Sequence, residues 1–270
     1  MKLNEVYEIA NTIAPKKLSD EACSVYGWYD NSGVLVDVGE EIKGILFSLD
    51  LSFSAIEECI EKDCNLILTH HPAMYGKLNH ARFDGEDLVE QKLVKVLRNG
   101  ISVISMHLNV DYADEGTDAY LAEGICASSE IGAKCEPIAY MQSVEGGKYG
   151  RVYDVKPCTL RRLTVGIKST FASQRVLAYG KEDREIRRVA SFCGAGADEK
   201  SVLFAKENGA DVIISSDFKH HVLTYALELG LSVIALTHYA SENYGFKKYY
   251  EKISQSVSVP CVFHTDEERL

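Results

Sequence analysis

The sequence predicts an α/β protein made of two similar α/β lobes with mostly parallel sheets. Three observations carry that prediction. Segments with strand and helix patterning alternate in the same order in residues 43–111 and in residues 188–242. Short strings match between the two stretches, Asn99-Gly100-Ile101-Ser102-Val103-Ile104 against Leu229-Gly230-Leu231-Ser232-Val233-Ile234. Each stretch also places an adjacent histidine pair beyond an apolar strand, His70-His71 in the first and His220-His221 in the second.

Taken in order, the first stretch reads ILFSLD as strand, SAIEECIEKDC as helix, NLILTHH as strand, LVEQKLVKVLRNG as helix and ISVISMHLNVD as strand. The second repeats the order as VASFCG, DEKSVLFAKENGAD, VIISSDFKHH, VLTYALELG and LSVIALTHYASE. Such β-α-β-α-β runs build parallel sheets through right-handed crossovers, and they gather ligand-binding residues at the strands' carboxyl ends. The expected division is a first lobe over residues 1–127, a connecting region over 128–187 with a few strands around EGGKYGR, and a second lobe over 188–270.

Composition narrows the function classes. At 270 residues and 46% hydrophobic content the chain can fill a substantial core. No stretch approaches the ~20 consecutive apolar residues of a membrane span. The start MKLNEVYEIAN lacks the basic-then-apolar pattern of a secretory signal, so a cytoplasmic location is expected. A formal charge of -11 disfavours nucleic acid as a partner, and the arginines at 161–162 and 184–188 read as a solvated face. The eight cysteines are scattered without a CxxC pair, so they are expected to be reduced thiols, mostly buried, rather than zinc ligands.

The chemistry must therefore come from other side chains. His70 and His71 follow a buried strand and precede Pro72, which stops a continuing strand or helix, so both can reach one cluster. Asp111 is expected to close the next strand at the same rim, where a carboxylate suits an imidazole-ligated cation. His238 and Glu242 follow the last strand at a spacing of four, which puts both on one face if a helix begins there. Five such ligands exceed the roughly three that a mononuclear catalytic zinc takes, so two divalent ions (Zn, Fe, Mn or Co) are expected, bridged by Asp111 and Glu242. The metal site is thus expected at strand carboxyl ends between the lobes. Asp50, Asp217 and His221 are expected on the same rim, orienting ligands or water. Asp217 and His221 are also candidate proton movers. His220 and His221 can equally be a solvated helix start. His80, His107 and His264 are expected in structural roles, and Trp28 and the tyrosines in core or interface.

The strings APKKLSDEACSVYGWYDNSGVLV, SLDLS, LILTHHP, SMHLNVD, YGR, VASFCGAG, SSDFKHH and THYASE together resemble successive motifs of the GTP cyclohydrolase 1 type 2 homologues, also called Nif-three-like dinuclear metal proteins. The resemblance spans nearly the whole chain. It implies the same five metal ligands, a toroidal homohexamer, and a cavity open to small solutes. It also implies the short form of the family, without an inserted extra domain. The loop DYADEGTD and the string DEACSVYGWYDN depart from the family's usual Gly-Gly and Asn pattern and its Glu-Trp-Asp-Asn.

Two functions follow as expectations. One is a metal-dependent hydrolase acting on a small, nucleotide-like or other small-molecule substrate. The family name implies GTP, although the chain has no GxxxxGK[ST] loop. The alternative is a non-catalytic metal-binding or regulatory ring that interacts with other proteins.

Overall fold

The computed structural model describes residues 1–74, 76, 86–129 and 135–266; His80 lies outside them. The chain opens with helices α1 (Leu3–Ile13) and α2 (Lys16–Tyr26) and strands β1 (Gly33–Val36) and β2 (Ile45–Ser48). It continues with α3 (Phe53–Glu61), β3 (Leu66–Thr69), α4 (Leu88–Arg98), β4 (Ser102–Ser105) and the short α5 (Leu108–Tyr112). Then come α6 (Thr117–Ser129), the hairpin β5 (Pro137–Val144) and β6 (Gly147–Thr159), α7 (Leu160–Thr170) and β7 (Leu177–Tyr179). The chain ends with β8 (Glu185–Ser191), α8 (Glu199–Glu207), β9 (Val212–Ser215), α9 (His220–Glu228), β10 (Ser232–Ala235), α10 (His238–Ser254) and β11 (Cys261–Phe263).

Local chemistry sets many of these boundaries. Ser52 Oγ accepts from the Ala55 amide to start α3, Asp87 accepts from two amides to start α4, and Asp198 closes a capping box with Ser201 at α8. Gly100 and Gly230 follow α4 and α9 with φ of 63° and 80°, a left-handed turn open to glycine at little cost. The β-α-β-α-β order expected for both stretches is thus realised as β2-α3-β3-α4-β4 and β8-α8-β9-α9-β10.

The chain divides into two compact units. Among the described residues, one comprises those of 1–115 and 246–266, and the other those of 116–245. The first unit holds a five-stranded sheet in the order β1-β4-β3-β2-β11, parallel except for β1. Its strands β2, β3 and β4 are buried at every residue. Apolar side chains such as Leu46, Ile56, Ile67 and Val103 fill the core beneath the helices, each contributing about 1.5–3 kcal/mol of burial. The second unit holds a six-stranded sheet, β5-β6-β8-β9-β10-β7, parallel across β8-β9-β10 and antiparallel at both flanks. The strands expected between the lobes are therefore built into the second sheet. Helices on its two faces enclose separate apolar clusters, one around Leu163, Ile167 and Ile214 and one around Val202, Ile213 and Val233.

One expectation is corrected here. Cys126 and Cys135 are paired as a disulfide with Cα atoms 6.0 Å apart, so not all eight cysteines are free thiols; six are. Trp28, expected in core or interface, is 44% exposed and so lies outside the core. Among the described residues no helix is long and apolar enough to cross a membrane.

Candidate metal centre

In the first unit β3 runs straight into His70 and His71. Their amides continue the pairing, donating to Ser48 O at 3.2 Å and Leu49 O at 2.8 Å, until Pro72 removes the next donor. Thr69 Oγ1 donates to His71 O at 2.7 Å, a local turn at the strand end. The chain leaves the regular strand here, so the two imidazoles do not diverge, and their centroids lie 5.0 Å apart.

Asp111 does not close a strand as expected. β4 ends at Ser105, and Asp111 sits in α5, 7% exposed. The amides of Val110 and Asp111 both donate to His107 O, at 2.9 and 3.1 Å, and Asn109 Nδ2 ties this turn to Ala14 O at 2.7 Å. That turn places His107 and Asp111 four residues apart on one helical face. His107, expected to be merely structural, joins His70 and His71: one nitrogen of each imidazole lies within 4.8 Å of the others. The missed signal was internal to the repeat. HLNVD after β4 and HYASE after β10 set His and a carboxylate at the same spacing, at equivalent places.

Each imidazole is oriented through Nδ1. His70 Nδ1 lies 2.9 Å from Met106 O, which can only accept, so that nitrogen carries the proton and Nε2 faces Asp111 Oδ1 at 3.4 Å. His71 Nδ1 lies 2.9 Å from Asp50 Oδ1, and His107 Nδ1 lies 2.8 Å from Asp30 Oδ1. Asp30 also accepts from Ser19 Oγ and Ser32 Oγ, each at 2.6 Å. Burial opposes its charge, but the hydrogen bonds from His107, Ser19 and Ser32 outweigh it and hold the carboxyl far below the usual carboxylate range. Burial likewise opposes protonation of His107, and the Asp30 hydrogen bond with the Asp111 and Asp30 charges reverses the sign, raising its pKa.

The second unit repeats the device on a longer helix. β10 ends at Ala235, His238 is the first residue of α10, and its Nε2 lies 3.0 Å from Glu242 Oε1. His238 Nδ1 lies 2.5 Å from Asp217 Oδ2, and Asp217 holds a left-handed φ of 53°, uncommon for a residue with a Cβ. Glu242 is buried against Gly194, whose φ is 59° and where a side chain would collide with Oε1. The Gly194 amide donates to Ser241 Oγ at 3.1 Å, and the preceding Cys193 amide donates to Asp118 Oδ1 at 3.2 Å. Arg151 Nε and the Gly150 amide hold the other oxygen of the fully buried Asp118, at 2.7 and 3.1 Å. Tyr149 Oη donates to Cys193 O at 2.5 Å. The YGR and FCG strings thus form one buried network backing Glu242.

The remaining expected residues lie elsewhere. His221 Nε2 faces Glu199 Oε1 at 2.9 Å on an exposed part of α8 and α9, and His220 opens α9. His264 stands between Glu58 and Asp266, a structural clamp as expected.

Within each unit, then, the structure brings together His70, His71, His107 and Asp111, and His238 with Glu242. The trio His70, His71 and His107 can hold a metal ion, each offering one ring nitrogen to it. Imidazole Nε2 and carboxylate oxygens suit Zn, Fe, Mn or Co, and Nδ1 held by an oxygen is the usual support of a ligating histidine.

The model of the Duf34/NIF3 (NGG1p interacting factor 3) family matches residues 1–268. A protein of Clostridium acetobutylicum named GTP cyclohydrolase 1 type 2 homolog is 30% identical, over 90% of this chain and 85% of its own. Among solved structures, reduced HcgD from Methanocaldococcus jannaschii superposes with a TM-score of 0.77 at 29% identity, covering 97% of each chain. A hypothetical protein of Staphylococcus aureus shares the fold, with a TM-score of 0.81 at 21% identity over 98% of this chain and 97% of its own. With a family match along essentially its whole length and a histidine and carboxylate set in each unit, this chain belongs to the Duf34/NIF3 family.

Proposed function

We propose that His70, His71, Asp111, His238 and Glu242 would hold two divalent cations and that the chain hydrolyses a small-molecule substrate. The observation that carries this reading is the common orientation of the ligand histidines. Each of His70, His71 and His238 meets an oxygen at Nδ1, while Nε2 of His70 and of His238 faces a carboxylate. When bound, such a metal pair supplies Lewis acidity and activates water near neutral pH. Asp50 and Asp217 hold His71 and His238 in position, and Asp217 is placed to take a proton from His238 Nδ1–H or return it. A nucleotide-like substrate is supported by the relatives' name, GTP cyclohydrolase 1 type 2 homolog. The homohexamer and the cytoplasmic location belong to the same reading.

A second reading is a metal-binding ring that acts on other proteins. The family description, an interacting factor of another protein, favours it.

Elemental analysis of protein loaded with Zn, Mn or Fe tests the centre, and turnover of nucleotides, phosphodiesters and amides tests the hydrolase. Two metals per chain and turnover lost in Glu242→Gln with the fold retained are expected. A stoichiometry that stays at or below one overturns the dinuclear site. Full loading without turnover of any panel member moves the assignment to the second reading.

A further inference from the structure

Two neighbouring aromatic side chains of the first unit are left in water: Trp28 is 44% and Tyr29 51% exposed. Large aromatic side chains gain more from burial than most others, so an adjacent exposed pair marks a contact surface. The segment bearing them is firmly held. Gly27, with φ of 71°, closes α2, and the Trp28 amide donates back to Cys23 O at 3.1 Å. The Tyr26 ring supports that of Trp28, with centroids 5.1 Å apart and planes inclined by 32°. Tyr29 Oη donates to Asn31 Oδ1 at 2.7 Å. Asn31 Nδ2 in turn donates to Met74 O at 2.7 Å and Gly76 O at 3.3 Å, on the segment that follows His71. Asp30, between them, carries the hydrogen bond to His107.

The two rings therefore sit on a segment whose Asp30 orients His107 and whose Asn31, bonded to Tyr29, is tied to the chain that follows His71. A patch for docking another protein has no need of those anchors. A ligand with one end at the cluster and a flat ring at the other does, because both ends must be held in fixed relation for reaction. Stacking on an aromatic face is tolerant of ring identity and needs no charge, which suits a strongly acidic chain.

We propose that Trp28 and Tyr29 form a stacking shelf for a planar nitrogen heterocycle, of nucleobase or pterin type, on a ligand whose reacting group lies at the histidine cluster. The proposal rests on the reading of that cluster as a metal centre, but the shelf can be tested apart from it.

Trp28 is the one tryptophan of the sequence, so its fluorescence reports the shelf directly. Titration of the metal-loaded protein with adenosine, guanosine and pterin, and with ribose as the ring-free control, is the experiment. Saturable quenching by at least one ring compound and none by ribose is expected. Tyr29→Leu should weaken that binding at least about fivefold, and Trp28→Leu, followed by calorimetry, should do the same. Metal content measured on the same samples should stay at the wild-type value in both variants. Quenching by none of the three ring compounds, or equally by ribose, overturns the proposal. So does self-association of the wild type that either variant abolishes while the ring compounds stay without effect, since the rings are then a subunit contact. Protein that binds the rings but takes up no metal refutes the metal reading alone. Loaded protein that ignores the rings refutes the shelf alone.

Discussion

Position 194 shows how little freedom a ligand carboxylate is given. Gly194 adopts a left-handed φ, its amide is held by Ser241, and the buried Glu242 carboxylate fills the space where a Cβ would stand. Gly194→Ala adds strain of about 1–3 kcal/mol and pushes Oε1 away from His238. The expected outcome is a melting temperature lowered by a few degrees together with weaker metal retention. Elemental analysis after dialysis against a weak chelator checks it, and retention equal to wild type would show that Glu242 does not ligate. Position 107 carries the complementary lesson. Its imidazole is oriented by Asp30, 77 residues earlier in the chain, and the local hint of its place beside His70 and His71 is the His-to-carboxylate spacing that HLNVD shares with HYASE.

Among the elements, helix starts do the positioning. α5 and α10 each begin just beyond a buried strand and set a histidine four residues before a carboxylate; at α10 one turn of helix brings His238 Nε2 to 3.0 Å from Glu242 Oε1, whereas at α5 His107 turns to Asp30 and Asp111 faces His70. The device is sensitive to phase. One alanine inserted between Tyr239 and Ala240 turns Glu242 roughly 100° away from His238, since a helix has 3.6 residues per turn. Metal affinity should fall by at least about tenfold, as is typical when a ligand is lost or misdirected. Circular dichroism should still report a helical α10. An insertion of four residues, which approximately restores the phase, should recover part of the affinity. Equal binding by both insertions would mean that the pair does not act together.

At the scale of the whole molecule, the buried Cys59 and the half-buried Cys261 set an alkaline limit. Burial pushes Cys59 up to about 12, with the neighbouring Cys64 adding to the rise, and it pushes Cys261 up to about 11. Burial also raises Tyr153, which is fully enclosed. For each of these the folded pKa exceeds the unfolded one, so the unfolded chain loses its proton first. The stabilisation is complete below the unfolded thiol value of ~8.5 and disappears as pH climbs through the folded values. Denaturant midpoints should therefore stay level from pH 7 to about 8.5 and fall steadily between about 9 and 12. Cys59→Ala should shallow that fall while lowering stability at neutral pH through the cavity it leaves. A midpoint that does not change between pH 8 and 11 would contradict the burial of these thiols.

Patterns within one turn or one strand were enough to read the repeated β-α-β-α-β order, the apolar strands that end in His70 and His71, and the four-residue step from His238 to Glu242. These follow from side-chain periodicity and turn chemistry, which act over a few residues and are written in order along the chain. Other features were settled only when distant segments met. β11 returns from the end of the chain to lie beside β2, and residues read as a connecting region add strands to the second sheet. Asp111 lies in a helix rather than at a strand end because Asn109 pins that turn to Ala14. Asp118 finds Arg151 and the Cys193 amide, and His107 finds Asp30. Trp28 stays in water on a segment fastened to Met74 and His107. Each of these depends on a buried polar group finding its partner across many residues, and that pairing is a property of the packed structure rather than of any local pattern.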